Sequence, residues 1–497
     1  MSGRRGPWRA LGAVLLLASS LVVVVPAPVA AAPGDQPVPV PTLTEPPAGI
    51  QGHALWDAWY DPAVFGYEEQ ELLVSGTAVD AAGTPAPYTT RIIVHRPSDP
   101  ARFNGIVLLD WVNVTAQFEN GVDTILTRPM LLREGYAFVH MSAQQSGLCC
   151  LPVFTPKMWD PVRYAAISHP GDAWAFDIVT QIAQSFRQPP PDGGLDPMGA
   201  IGVGRVEYVL AAGQSQSGIK LHDYVAGWLP THPSAVGIID GILVHGNTFQ
   251  PKTYPYPVAV PVINLLSEVE AVDDGVDPAD LDPNVRLWEV AGAAHEDHWV
   301  GYQQAFAQGP RHFGLPKVGR EQYDALLLTA GNYGEQVTPS LAVCAVGGAS
   351  MPRRYVSSAA IHQLARWVAG GPAPRHGPRY VFSGGSLAKD ADGHSIGGIR
   401  LPPIEVPVAT YLPTACSIAG GITLPYTDLQ LQQRYGSHAG YYARLAERTD
   451  AAVTAGWMLP EDAVDLMTRA CAARNRFPAT SEPCAPYTPP PFDTLGA

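Results

Sequence analysis

Positive charge is in short supply in this chain. Lysine and arginine number 31 against 45 aspartates and glutamates, for a formal net charge of −14. Setting aside Arg4, Arg5 and Arg9 of the leading segment takes the remainder to about −17. So acidic a body argues against nucleic acid or an anionic membrane as partner and places no limit on a neutral substrate. Cysteine is also sparse, 6 residues in 497, with no C-x-x-C spacing and no cysteine beside a histidine in a zinc-like pattern. Nothing there calls for a metal or another cofactor. The apolar run Leu11 to Val25 is too short and wrongly flanked for a stable membrane span.

That run does fit a targeting signal. A basic start, the run itself and the small residues Val29-Ala-Ala-Ala32 read as a signal peptide over 1–31, with an uncleaved anchor as the alternative. Pro-rich residues 32–48 follow as an extended tether. Export suits disulfides: Cys471 with Cys484, Cys344 with Cys416, and the adjacent Cys149 and Cys150 bonded to each other or elsewhere.

The stretch around which the rest is organised is Val206-Glu-Tyr-Val-Leu-Ala-Ala-Gly-Gln-Ser-Gln-Ser-Gly218. A β-branched, apolar run passes into a turn of small residues, and a helical pattern follows with Leu221, Val225 and Trp228 on one face. Strand, tight turn and helix are the setting of a nucleophile elbow, whose sharpness demands small residues at Gly213 and Ser217. On that reading Ser215 is the nucleophile and Gln216 supplies a backbone N–H for an oxyanion. Ser217 as nucleophile would need a small residue where Ile219 stands.

Along the chain, Glu69 to Val79 and Tyr88 to Val94 alternate as antiparallel strands do. Ile106 to Asp110 and Tyr136 to Met141 are continuous apolar runs, as strands buried on both faces are. Asp172 opens a helix with Ala175, Ile178, Val179, Ile182 and Phe186 inward. Gly237 to Val244, Val260 to Leu266 and Val285 to Val290 give further strands. Antiparallel entry strands followed by alternating β and α units predict an α/β fold, a mostly parallel sheet with helices on both faces. Working groups in such sheets follow the carboxyl ends of the strands.

A serine hydroxyl needs a histidine base, itself held in one tautomer by a carboxylate. The strand ending at Leu266 runs into Ser267-Glu-Val-Glu270, so Glu270 is the candidate acid and Glu268 the alternative. Val290-Ala-Gly-Ala-Ala-His295 ends in a small-residue loop that lets His295 lean over the sheet, with His298 as competitor. With no H-G-G-G run present, the second oxyanion donor falls to the loop after Ile106–Asp110, at Val112 or at Asn113, with Val112 favoured. Trp111 walls the pocket or fills the core, and Gln144 faces the same region.

Several pieces match in order beyond the elbow. They are Arg163-Tyr164 with His169-Pro-Gly-Asp172, Ser267 to Glu270, Trp288 to His295, Asp390 to Arg400, Val406 to Tyr411 and Tyr435 to His438. In these the chain resembles the α/β-hydrolase-domain family of bacterial secreted proteins that carry a G-x-S-Q-S-G elbow. The resemblance runs from about residue 50 to 475. It implies a serine hydrolase with Ser215, Glu270 and His295 as triad. Many relatives carry Asp in the acid loop, where this chain has Glu270.

The expected organisation is a hydrolase core over 49–371 with a lid excursion at 300–350, then a C-terminal extension over 372–497 packed on the core. Within it Asp390-Ala-Asp-Gly393 reads as a tight turn rather than a calcium loop, and residues 438–475 as two helices, the second opened at Pro460. The expected activity is cleavage of carboxylic esters or lactones, through an acyl-enzyme on Ser215. The substrate would be a small molecule or a glycan or lipid ester. The alternatives are a catalytically inactive hydrolase fold that binds an envelope component, and an acyltransferase using the same triad.

Overall fold

The computed structural model describes residues 36–148, 154–247, 254, 257–316, 349–415, 420–472, 477 and 483–492. The leader, Cys149, Cys150, Cys344, Cys416 and most of the expected lid excursion lie outside these residues.

A nine-stranded sheet carries everything else. β1 (Thr42–Thr44), β2 (Tyr67–Val79) and β3 (Pro85–Pro97) enter antiparallel, β2 and β3 registering from Tyr67 opposite Pro97 to Val79 opposite Pro85. The parallel strands follow: β4 (Ile106–Trp111), β5 (Ala137–Met141), β6 (Tyr208–Gln214), β7 (Gly241–His245), β8 (Val262–Leu266) and β9 (Val285–Glu289). Their order is β1-β2-β3-β5-β4-β6-β7-β8-β9, so the elbow strand β6 lies in the middle of the sheet.

The helices that cover the sheet are α1 (Val122–Glu134), α2 (Ala175–Gln184), α3 (Gln216–Asp223) and α4 (Arg354–Val368). Alternate strand residues serve opposite faces. Leu108, Leu210 and Leu243 share a buried cluster with Met130 of α1 and Leu364 of α4. Leu109, Ala211 and Val244 share another with Ile178 of α2 and Leu221 of α3. The alternation is the period-two geometry of a strand, and the unbroken apolar runs follow from burial on both sides. β7 starts later than its apolar run suggests, because Gly237 takes a left-handed backbone (φ 83°) and ends a turn first.

Beyond α4 come α5 (His438–Thr454) and α6 (Pro460–Ala472), where the helical patterns placed them. Tyr411, Tyr441 and Leu445 of this segment belong to the same buried cluster as Leu108 and Leu210, and the Trp457 and Trp288 rings meet edge-on at 4.9 Å. A disulfide joins Cys471 to Cys484. In the 390 loop, Asp390 Oδ1 accepts the N–H groups of Asp392 and His394, and its Oδ2 accepts from Arg400. Asp390 closes the turn, and Asp392 ties it to Arg434. Among the described residues, no helix is long and apolar enough to cross a membrane.

Candidate active site

The turn between β6 and α3 forces Ser215 into a backbone conformation that non-glycine residues rarely adopt, φ 61° and ψ −121°. Two backbone bonds hold it there, Ser215 N–H to His245 O at 2.8 Å and Ile219 N–H to Ser215 O at 2.8 Å. The need for a small residue holds at Gly213 and extends to Gly218. A Cβ on Gly213 would sit 2.9 Å from Ser217 O, and one on Gly218 would sit 2.4 Å from His245 O. Ser217 is fully buried, and its Oγ donates to Gln214 O at 2.9 Å.

Glu270 and His295 are brought together. Glu270 Oε1 lies 2.5 Å from His295 Nδ1, and both side chains are buried. The turn Glu268–Glu270 after β8 is a capping box, so Glu270 Oε2 folds back onto Ser267 N–H at 2.6 Å and leaves Oε1 for the histidine. Burial pushes the Glu270 carboxyl up, but the His295 contact and the Ser267 donors outweigh it and hold it down at about 2. Glu268 points elsewhere, accepting from Gly292 N–H at 2.6 Å and pairing with Lys389 at 2.7 Å. His298 turns to Ala349 O.

With Nδ1–H donating to the Glu270 carboxylate, His295 presents Nε2 as an acceptor. The group facing that lone pair is the Gln214 amide, Nε2 to Nε2 3.1 Å, which also reaches His295 O at 3.1 Å. Among the described residues no hydrogen bond joins Ser215 to the His295 ring. Ser215 and the residue that faces His295 Nε2 are chain neighbours.

The backbone N–H of Gln216 opens α3 and has no acceptor among the described residues. In the loop after β4, Val112 N–H is spent on Met141 O, at a long 3.4 Å, and Asn113 N–H on Asn120 O at 2.8 Å. The Asn113 side chain instead ties down Gln214 O at 2.9 Å.

A chain of amides supports Gln216. Its Nε2 donates to Gln144 Oε1 at 2.8 Å, the fully buried Trp111 donates to the same oxygen at 3.1 Å, and Gln144 Nε2 donates to Asp172 at 2.7 Å. Asp172 therefore does not cap the helix that follows. Its second oxygen accepts Gln145 N–H, and the helix starts through a 3-10 turn without a side-chain cap. Sequence reasoning missed this role because a capping aspartate and a bridging aspartate look alike before a helix. It missed a second histidine–carboxylate pair as well, His245 Nδ1 to Asp123 Oδ1 at 2.7 Å, buried beneath the elbow. Burial holds that imidazole well below its ordinary range and pushes Asp123 up to about 7. A histidine closing an apolar strand beside the elbow strand was the available signal.

Next to Val112, at the carboxyl ends of β4 and β5, lies a cavity of about 220 Å³ walled by Trp56, Phe118, Phe154 and Phe313, with Arg128 among its lining residues. It occupies the sheet edge that also presents Ser215.

Residues 36–468 match the alpha/beta hydrolase domain family. Among curated proteins there is no match. Among solved structures, the chain is similar to the rice cell wall degrading esterase LipA from Xanthomonas oryzae, with 14% identity and a TM-score of 0.21 over 36% of this chain and 42% of LipA. It thus spans under half of LipA's length. It is also similar to esterase B from Lactobacillus rhamnosis, with 11% identity and a TM-score of 0.25 over 44% of this chain and 74% of that one. Because the family match extends over nearly the whole described chain, from β1 through most of α6, the protein belongs to the alpha/beta hydrolase domain family.

Proposed function

We propose that the protein is an exported serine hydrolase that cleaves carboxylic esters or lactones through an acyl-enzyme on Ser215. The observation that carries this reading is the pairing of a strained serine at a strand–helix elbow with a buried Glu270–His295 dyad at the same sheet edge. For attack, His295 Nε2 exchanges the Gln214 amide for the Ser215 hydroxyl and takes its proton as Oγ bonds to the carbonyl carbon. Glu270, held ionised, stabilises the imidazolium that forms. Gln216 N–H meets the oxyanion, and Val112, whose own bond is long, is the candidate for the second donor. One such donor is worth about 3 kcal/mol of barrier. His295 then protonates the leaving alcohol and activates a water that hydrolyses the acyl-enzyme. The apolar leader and the Cys471–Cys484 disulfide support export.

One observation favours a second reading, a non-catalytic binding protein: the Gln214 amide, not Ser215, faces the base. Labelling with a fluorophosphonate probe and peptide mapping separates the two. The enzyme gives a single adduct on Ser215 that Ser215→Ala abolishes, and the binding protein gives none. A panel of p-nitrophenyl esters of increasing chain length then bounds the acyl group.

A further inference from the structure

The aromatic cavity beside Val112 is lined by a guanidinium that no carboxylate among the described residues pairs with. Around it, Arg91 pairs with both Glu71 and Glu119, and Arg163 pairs with the other oxygen of Glu71, so these guanidiniums and carboxylates cancel. Arg311 takes Asp57. Arg128, on α1, has no carboxylate partner among the described residues. Its Nη1 donates to the Gln303 amide oxygen at 3.0 Å, an acceptor shared with Trp59 at 2.7 Å. Its guanidinium lies 5.0 Å from the centroid of Tyr60, and its Nε and Nη2 have no partner among the described residues. A nearby acid, Glu69, is pushed up to about 8 by burial and by Asp57, so it is largely protonated at neutral pH. His140 is held down to about 3 by burial and by Arg128 and Arg91, and adds no charge. Burial lowers Arg128 while Tyr60 and Glu69 hold it up from a distance, and no carboxylate pairs with it directly among the described residues.

That charge faces open space. Arg128 lines the aromatic cavity and also a second one of about 260 Å³ bounded by Trp59, Tyr60 and Trp299. The cavity walls share the backbone strain of the elbow. Trp56 (φ 66°), Gln117 (φ 64°), Phe154 (φ 73°) and Ser215 (φ 61°) are the non-glycine residues with left-handed backbones among the described residues. Trp56 and Phe154 wall the cavity, and Gln117 precedes Phe118, which also does. Such strain persists where the fold holds a shape for a purpose.

We infer that this cavity is a subsite for an ester whose apolar body ends in a carboxylate, with Arg128 receiving the carboxylate. A planar guanidinium with free N–H groups suits a carboxylate, and partial removal from water strengthens that bond. In a protein that is acidic overall, a local positive site is also what an anionic substrate requires. The inference rests on the hydrolase reading for the fate of the ester, though not for its binding.

The test compares p-nitrophenyl hydrogen glutarate with p-nitrophenyl pentanoate, equal in chain length and different in the terminal carboxylate. The native enzyme is expected to favour the glutarate in kcat/KM by about tenfold or more, with the ratio collapsing in Arg128→Gln and partly restored in Arg128→Lys. In parallel, monoethyl glutarate and ethyl pentanoate are titrated calorimetrically into Ser215→Ala, where no turnover intervenes. Glutarate binding about tenfold tighter there, and lost in Ser215→Ala/Arg128→Gln, supports the subsite even if no ester is ever hydrolysed. In that case it is the hydrolase reading that fails. Hydrolysis of both esters with no preference overturns the inference and leaves the hydrolase standing. So does glutarate binding that is indifferent to Arg128. Should Arg128→Gln not fold, equal affinity of Ser215→Ala for the charged and neutral esters is sufficient to overturn it.

Discussion

Glu270 is the residue at which stability and chemistry can be read in one variant. Its carboxyl is held at about 2 against an ordinary 4.5, which by linkage is worth on the order of 3 kcal/mol at neutral pH. Because the folded value lies below the unfolded one, this contribution is fully present above the unfolded pKa and is lost as pH falls toward the folded pKa. Roughly 1 to 1.5 kcal/mol of it remains at pH 3, and almost none below pH 2. Glu270→Gln keeps the size of the side chain and removes its charge. Urea denaturation at pH 7 should show the variant less stable than the native protein by up to about 3 kcal/mol, with the gap narrowing by more than half at pH 3. In the same variant kcat should fall by orders of magnitude while KM changes little, because the imidazolium loses its counter-charge in the transition state. Glu268→Gln is the control. It removes the charge opposite Lys389, so it should cost stability without a comparable loss of kcat. Equal loss of kcat in the two variants, or a stability gap for Glu270→Gln that persists unchanged at pH 3, would refute the assignment.

Four further outcomes follow from the packing around the elbow and the cavity. Gly218→Ala drives a methyl to 2.4 Å from a backbone carbonyl that cannot yield; it should cost about 2 kcal/mol or more and abolish probe labelling. Ser217→Gly should cost only about 1 kcal/mol, the worth of its bond to Gln214 O. Gln144→Ala removes the acceptor that steadies Gln216, so kcat for a p-nitrophenyl ester should drop about tenfold or more with KM little changed. Gln144→Glu should not rescue it, because a carboxylate there faces Asp172. Finally, burial raises Glu69 to about 8, so stability should decline as pH climbs from the ordinary carboxyl value toward 8. Glu69→Gln should flatten that decline, as followed by thermal melts across the range.

The fold was legible because its signals are contiguous. An apolar run such as Ile106 to Asp110 declares a strand buried on both faces, and the elbow announces itself through a row of small residues after another such run. The choice between Glu268 and Glu270 was more legible than it looked. Ser267-Glu-Val-Glu270 has the spacing of a capping box, which commits the second glutamate to fold back on Ser267 and leaves its other oxygen free. That geometry aims Glu270 at His295.

What stayed hidden was whatever depends on elements far apart in the chain. Gln214 reads as a spacer between a glycine and a serine, and only the approach of the 295 loop makes it the group that faces the His295 ring. Asp172 reads as a helix cap until Gln144 is found beside it, although the two are separated by two short helices and a loop. Arg128 is the extreme case. In Leu126-Thr-Arg-Pro129 it passes for a surface charge on a helix, and a sequence cannot tell which cation lacks a counter-ion, because pairing is a property of the whole neighbourhood. The nearby acids are consumed by Arg91, Arg163 and Arg311, and the acid left over, Glu69, is raised by the same burial that isolates Arg128. If the Arg128 subsite holds, substrate choice here follows from what the surrounding pairs leave without a direct partner.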